Sequence, residues 1–331
     1  MEGLLAERYQ LETVVGSGGM GTVWRAHDML LDRQVAIKEV RYSAQLSDAE
    51  RNAQTTRAVA EARHAARLEH PRIVPIYDVV IHDARPWIVM RYIAGRSLEQ
   101  QIVADGRLAP ADVLRLARGL LEAIAASHRG GVLHRDIKPS NVLIAEDGEP
   151  MLTDFSIARA IGQGTATNTG LIVGSPGYIA PERVVTGVAG PEADLFGLGA
   201  TLYFAAEGVG PFAHEDAMAG AFAAAIHPHP RPQHAGPVLT PLLDGLLEKD
   251  PRKRLTPADA ANLLGLPTTA HPAPPIPPPA TPGPPSSPTP TPPLATPPDP
   301  FLATPAPPAP EPFQTTPPPQ PSQATPPSPA A

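Results

Sequence analysis

Twenty-nine of the chain's 46 prolines lie from Pro267 onward, and that distribution limits which part of the sequence can fold. Proline fixes φ and donates no backbone hydrogen bond, so a segment this rich in it builds neither a helix interior nor a central strand. The same stretch has no lysine or arginine, only Asp299 and Glu311 as charges, and few large apolar side chains. It cannot bury enough surface to offset its ordering entropy, so residues 266–331 read as a disordered Pro/Ala/Thr-rich tail. Its Thr-Pro and Ser-Pro pairs allow a polyproline II ligand or a phosphorylated linker, and a solvated spacer is the plainer reading. Residues 9–265 carry the periodic patterning and are ample for one core.

Composition removes several function classes. Net charge is -7 and the basic residues are scattered, so no nucleic-acid partner is expected. The chain has no cysteine, which excludes disulfides, thiolate metal sites and a cysteine nucleophile and fits a reducing compartment; the expected location is cytoplasmic. Residues 1–10 lack the basic and apolar regions of a signal peptide. The longest small-and-apolar run, residues 217–226, is about half of what a membrane span needs, so no span is expected.

Residues 9–15, 21–27 and 34–40 alternate as three antiparallel strands. Residues 48–68, rich in alanine, arginine and glutamate, read as a long helix ended near His70-Pro71, with strands following at 73–81 and 87–93. After Gly95 the spacing turns helical through Leu98, Ile102 and Val103, then Val113, Leu116, Leu120 and Ile124. Short strands are expected at 142–144 and 151–153, and helices at 194–207, 216–226, 239–247 and 257–264. Residues 154–182, rich in glycine and threonine, are too long for an ordinary connection and read as functional.

The run His134-Arg135-Asp136-Ile137-Lys138-Pro139-Ser140-Asn141 sets a carboxylate, an ammonium and an amide at spacings that phosphoryl transfer can use. Asp136 can orient a hydroxyl nucleophile and accept its proton, Lys138 can neutralise charge on the moving phosphate, and Asn141 can hold a metal ion. By itself the run could also be a polar turn after an apolar helix. It resembles the catalytic loop of eukaryotic-type protein kinases, and Lys138 two residues after Asp136 resembles their serine/threonine branch.

Gly16-Ser17-Gly18-Gly19-Met20-Gly21 matches a G-x-G-x-x-G loop, whose missing side chains let backbone N–H groups approach phosphate oxygens. A dinucleotide fold would start a helix here, whereas Val23 and a second strand follow, which resembles a kinase glycine hairpin over ATP. Lys38 alone would be a solvated strand lysine. The resemblance implies that it grips the α- and β-phosphates with Glu61 as its ion-pair partner; otherwise Arg57, Glu61, Arg63 and Arg67 are an exposed helix face. Asp154-Phe155-Ser156 stands where the family has Asp-Phe-Gly, which implies that Asp154 and Asn141 hold Mg²⁺, with Mn²⁺ as a substitute. Ser156 departs from the pattern and narrows the backbone freedom of that motif.

The resemblance further implies Met90 as gatekeeper, backbone groups of Arg91 and Ile93 as hinge contacts, and Val15, Val23, Ala36 and Leu143 around the adenine. Each of these also has an ordinary core reading. Ala94 stands where many relatives carry an acid for the ribose. Ala180-Pro181-Glu182 resembles the end of an activation segment, Arg254 the buried arginine that pairs with its glutamate, and Asp194 the helix aspartate that braces the catalytic loop. Arg135 leaves an anionic partner to be found, and a phosphate on Thr165, Thr167 or Thr169 could supply it. His227, His229 and His234 are not expected to form a metal site, since their proline neighbours hold them in a loop with no partner carboxylates.

These motifs cover residues 9–265. They identify the chain as similar to bacterial eukaryotic-like (Hanks-type) serine/threonine protein kinases and imply an α+β, two-lobed fold. Its small β-rich N-lobe would span about 9–94 and its larger helical C-lobe about 95–265, with ATP between them. Implied partners are ATP, protein substrates with Ser/Thr acceptors, and a second copy for trans-autophosphorylation. A pseudokinase scaffold is the alternative, hinted at by Ser156 alone. A small-molecule kinase would not need the Ala180-Pro181-Glu182 segment end, and an adaptor acting through the tail is a third reading.

Overall fold

The computed structural model describes residues 4–18, 21–42, 46–155, 176–187 and 190–266. The expectations for Gly19, Met20, Ser156, Thr165, Thr167, Thr169 and the tail at 267–331 lie outside them.

The N-terminal lobe is a five-stranded antiparallel sheet of order β1-β2-β3-β5-β4, formed by β1 (Tyr9–Gly18), β2 (Gly21–Asp28), β3 (Arg33–Val40), β4 (Ile76–His82) and β5 (Arg85–Arg91), with helix α1 (Asp48–Ala65) between β3 and β4. The β1–β2 hairpin stays paired down to Gly18 opposite Gly21, further than the expected 9–15. Gly21 has φ +138, and a Cβ there would lie 1.8 Å from the Glu39 carbonyl oxygen, so only glycine closes the hairpin. The pleat sorts β5 between two cores. Ile88 and Met90 pack with Ala36, Val40, Ala58 and Ala62, while Trp87 and Val89 pack with Tyr9, Val35 and Ile37 on the opposite face.

Strand β4 begins later than expected. Ile73 is instead bridged in parallel to Leu152, with Val74 N–H donating to the Leu152 carbonyl at 2.9 Å and Leu152 N–H to the Arg72 carbonyl at 2.8 Å. Pro75, lacking an N–H, then separates this bridge from β4. Helix α1 starts with a Ser47/Glu50 capping box, the S-x-x-E signature, and ends at Ala65 rather than 68.

The C-terminal lobe holds α2 (Leu98–Asp105), α3 (Pro110–Arg129), α4 (Pro181–Thr186), α5 (Pro191–Glu207), α6 (Ala217–Ile226), α7 (Gly236–Leu246) and α8 (Pro257–Leu263). Helix α5 is buried nearly all round, as its uninterrupted apolar sequence requires, and packs against α3 and α7 at the centre of the lobe. Val103 is 79% exposed, not part of the apolar stripe expected from its neighbour Ile102. Successive helical residues point about 100° apart, so only one of the pair reaches the core. A three-residue strand that sequence periodicity is too short to reveal, β6 (Gly95–Ser97), pairs with β7 (Val142–Ala145), which pairs with β8 (Pro150–Leu152). Strands β7 and β8 follow directly on the 134–141 loop. Among the described residues no helix is long and apolar enough to cross a membrane.

Candidate active site

Asp194, 1% exposed near the start of α5, is the anchor of the catalytic loop. Its Oδ2 accepts the His134 N–H at 2.9 Å, its Oδ1 accepts the Arg135 N–H at 2.6 Å, and His128 Nε2 lies 2.8 Å from Oδ2. These bonds hold Arg135 in the left-handed region at φ +66, a conformation a non-glycine residue adopts only when its surroundings over-determine it. The His134 ring is fully buried; burial holds it below the usual imidazole range, so it is neutral. Its Nε2–H donates to the Thr153 carbonyl at 2.8 Å, and its Nδ1 accepts the Asp136 N–H at 3.3 Å. Its ring centroid lies 4.5 Å from that of Phe155.

The loop then brings three candidate side chains, Asp136, Lys138 and Asn141, to one place. Lys138 Nζ is 2.9 Å from Asp136 Oδ2, and Asn141 Nδ2 donates both to the Asp136 carbonyl at 2.8 Å and to Asp136 Oδ2 at 3.0 Å. Burial pushes the Asp136 carboxyl upward, but the Lys138 ammonium and the Asn141 amide outweigh it and hold Asp136 below the ordinary carboxylate range. Asp136 is therefore ionised and ready to take a proton at neutral pH. Replacing Lys138 with Met leaves the burial contribution with less opposition, so the Asp136 pKa rises. The acid limb of a kcat/KM–pH profile should move to higher pH in Lys138→Met; an unmoved limb would show that Lys138 does not set this charge.

Asn141 uses its amide nitrogen on Asp136, which leaves Oδ1 as an oxygen donor. The Thr153 N–H donates to the Asn141 carbonyl at 3.0 Å, which sets Asn141 beside Asp154. An amide oxygen and a carboxylate are hard donors that fit a small divalent cation, whose remaining positions phosphates and water would fill. Among the described residues no group of three His, Cys, Asp or Glu side chains forms a fuller cage.

The expected ion pair between Lys38 and Glu61 is not formed. Lys38 Nζ lies 2.9 Å from Asp154 Oδ2, and Glu61 Oε1 faces Arg135 Nη1 at 3.9 Å. The cause lies in α1, whose buried residues are only Ala58, Ala62 and Ala65. Alanines bury little apolar area, so packing does not dictate the helix's rotation, and nearby charges choose its partners. Lys38, buried on β3, needs an anion, and Asp154 at φ +64 turns its carboxylate toward it.

Val23, Ala36, Met90, Ile93 and Leu143 meet in one apolar cluster, with Met90 Sδ 3.8 Å from Thr153 Oγ1. Val15 lies outside it and is 41% exposed at the hairpin's edge, beside Gly16, Ser17 and Gly18. The Arg91 N–H is already donated to the Pro75 carbonyl at 3.0 Å, so this donor is engaged within the lobe.

Glu182 and Arg254 form a bidentate pair at 2.7 and 2.9 Å, and Arg254 also donates to the carbonyls of Glu192 at 2.7 Å and Glu248 at 3.0 Å. Sequence reading missed His128 behind Asp194 and Arg183, whose guanidinium donates to the Arg135 carbonyl. No motif marks either. It also missed carboxylate partners for the loop histidines: His229 Nε2 lies 3.2 Å from Asp244 Oδ1 and His234 Nδ1 2.9 Å from Glu207 Oε2. His229 and His234 take different carboxylates, so these two fasten the loop to the lobe.

Comparison with known proteins agrees with this geometry. The family described as "Protein kinase domain" matches residues 9–264. The serine/threonine-protein kinase PrkC of Bacillus subtilis is 40% identical over 214 residues, covering 65% of this chain and 32% of its own length. The serine/threonine-protein kinase PknL of Mycobacterium bovis is 37% identical over 221 residues, 66% of this chain and 54% of its own length. The serine/threonine-protein kinase PknA of Mycobacterium tuberculosis is 35% identical over 256 residues, 76% of this chain and 58% of its own length. The chain thus spans between about a third and three fifths of these relatives. Because the matched residues take in every element from β1 to α8, and the relatives are bacterial serine/threonine-protein kinases, this chain belongs to the protein kinase domain family.

Proposed function

We propose that this chain is an ATP-dependent serine/threonine protein kinase acting in the cytoplasm on protein substrates. The kinase domain occupies residues 9–265, and the proline-rich segment that follows would serve as a spacer. The observation that carries the reading is the convergence of Asp136, Lys138, Asn141 and Asp154 beside the glycine hairpin and the apolar cluster. Asp136 orients the acceptor hydroxyl and takes its proton as the oxygen bonds to the γ-phosphorus and the bond to the β-phosphate oxygen breaks, releasing ADP. Lys138 neutralises charge on the transferring group. Asn141 and Asp154 would hold a divalent ion, Mg²⁺ or Mn²⁺, which would supply charge neutralisation on the nucleotide phosphates. Lys38 exchanges Asp154 for the α- and β-phosphates, with Glu61 moving to pair with it, and the adenine lies among Val15, Val23, Ala36 and Leu143 against Met90 and the Arg91–Ile93 backbone. Phosphate on Thr165, Thr167 or Thr169, placed by a second copy of the chain, pairs with Arg135 and activates.

The test is incubation of the chain with γ-labelled ATP, Mg²⁺ and a generic protein, followed by phosphoamino-acid analysis. Label on serine and threonine is expected. Nucleotide binding without any transfer would replace this reading by a pseudokinase scaffold.

A further inference from the structure

The peptide unit between Arg135 and Asp136 carries the catalytic carboxylate, and both of its polar ends are held. Its N–H end, on Asp136, donates to His134 Nδ1 at 3.3 Å. Its carbonyl end, on Arg135, accepts from the Arg183 guanidinium. One residue earlier, the Arg135 N–H is tied to Asp194. His134 and Asp194 belong to the loop motif and its brace, whereas Arg183 comes from α4, 48 residues away in sequence. We infer that Arg183 is a positioning residue for the phosphotransfer proposed above, and that it sets the orientation of Asp136 through the Arg135 carbonyl.

Three observations support this. Arg135 sits at φ +66, so the loop is strained there and relaxes unless its peptides are held. A guanidinium bonded to a main-chain carbonyl is a charge-assisted contact, stronger than a neutral one, and it grips the backbone whatever side chain Arg135 carries. Arg183 also lines a small pocket with Asp136, Ile137, Tyr178 and Gly197, so it belongs to the immediate surroundings of the loop residue it is argued to position. Its chain neighbour Glu182 is bonded to Arg254. Two consecutive residues of α4 therefore join the lobe's core to the catalytic loop, and the end of the activation segment is mechanically linked to Asp136.

This inference rests on the kinase reading, and the experiment separates the two. The full chain is compared with Arg183→Met, which keeps the apolar stem and removes the donors, and with Arg183→Lys, which keeps a cationic donor. Amide hydrogen exchange at residues 134–137 should accelerate at least about tenfold in Arg183→Met, with the amides of α3 and α5 unchanged. The kcat should fall about 10- to 100-fold, the scale of a misplaced catalytic group, with KM for ATP within about twofold, and Arg183→Lys should recover part of both effects. Unchanged exchange at 134–137 in Arg183→Met overturns the inference. So does accelerated exchange throughout the C-terminal lobe without rescue by lysine, which would make Arg183 a general structural prop. If the parent chain transfers no phosphate at all, the kinase reading fails, and the exchange result still decides whether Arg183 holds the loop.

Discussion

Asp136→Asn should lower phosphoryl transfer by about 10³-fold, the scale of lost general-base catalysis, while nucleotide still binds. Asparagine matches aspartate in shape and keeps an oxygen for Lys138 and for Asn141 Nδ2, so the loop geometry survives. It cannot take up the proton of the acceptor hydroxyl, and the negative charge that the Lys138 ammonium stabilises is gone. The residues expected to contact ATP, from the glycine hairpin to Lys38 and Met90, are untouched. Turnover and nucleotide affinity should therefore separate cleanly. A kcat within tenfold of the parent would mean that Asp136 is not the base, and a parallel loss of ATP binding would mean that the substitution had disturbed more than the chemistry.

The second large effect is on stability. Arg254→Met should cost about 3–5 kcal/mol, the range for breaking one side of a buried ion pair. The guanidinium is fully buried and satisfies both Glu182 oxygens together with three main-chain carbonyls, from Glu192, Glu248 and, at 3.5 Å, Lys249. Without it the Glu182 carboxylate, 15% exposed, loses its charge partner and cannot fully rehydrate. Lysine is a poor substitute because a point charge does not reproduce the fork. The melting temperature should drop by about 10 °C in Arg254→Met, and the double variant Arg254→Met/Glu182→Leu should recover much of that loss by removing the stranded charge. A single variant that melts with the parent would show that the pair is effectively solvated.

What could be read from the chain alone follows from distance along it. Asp136, Lys138 and Asn141 lie within one loop, so their spacing already contained the geometry that brings Lys138 and Asn141 onto one carboxylate. Gly21 was legible as the last glycine of the 16–21 run, whereas its close approach to the Glu39 carbonyl, where a Cβ cannot fit, came only from the fold. The Glu182–Arg254 pair was foreseen through the family resemblance, since a charge pattern alone does not say which of many arginines a glutamate meets.

Where the partner is remote and the competition is between like groups, sequence did not decide. Lys38 had two carboxylates to choose between, Glu61 and Asp154. The choice of Asp154 depends on how an alanine-faced helix sits on the sheet and on the left-handed turn at Asp154. Arg183 carries no motif at all, and its role comes from α4 being packed so that a guanidinium reaches the Arg135 carbonyl. The sequence by itself determined the chemistry available and most of the strands and helices that present it. Only the tertiary structure decided which charges are satisfied by which, because Coulomb and hydrogen-bond energies depend on separations of a few ångströms that packing sets.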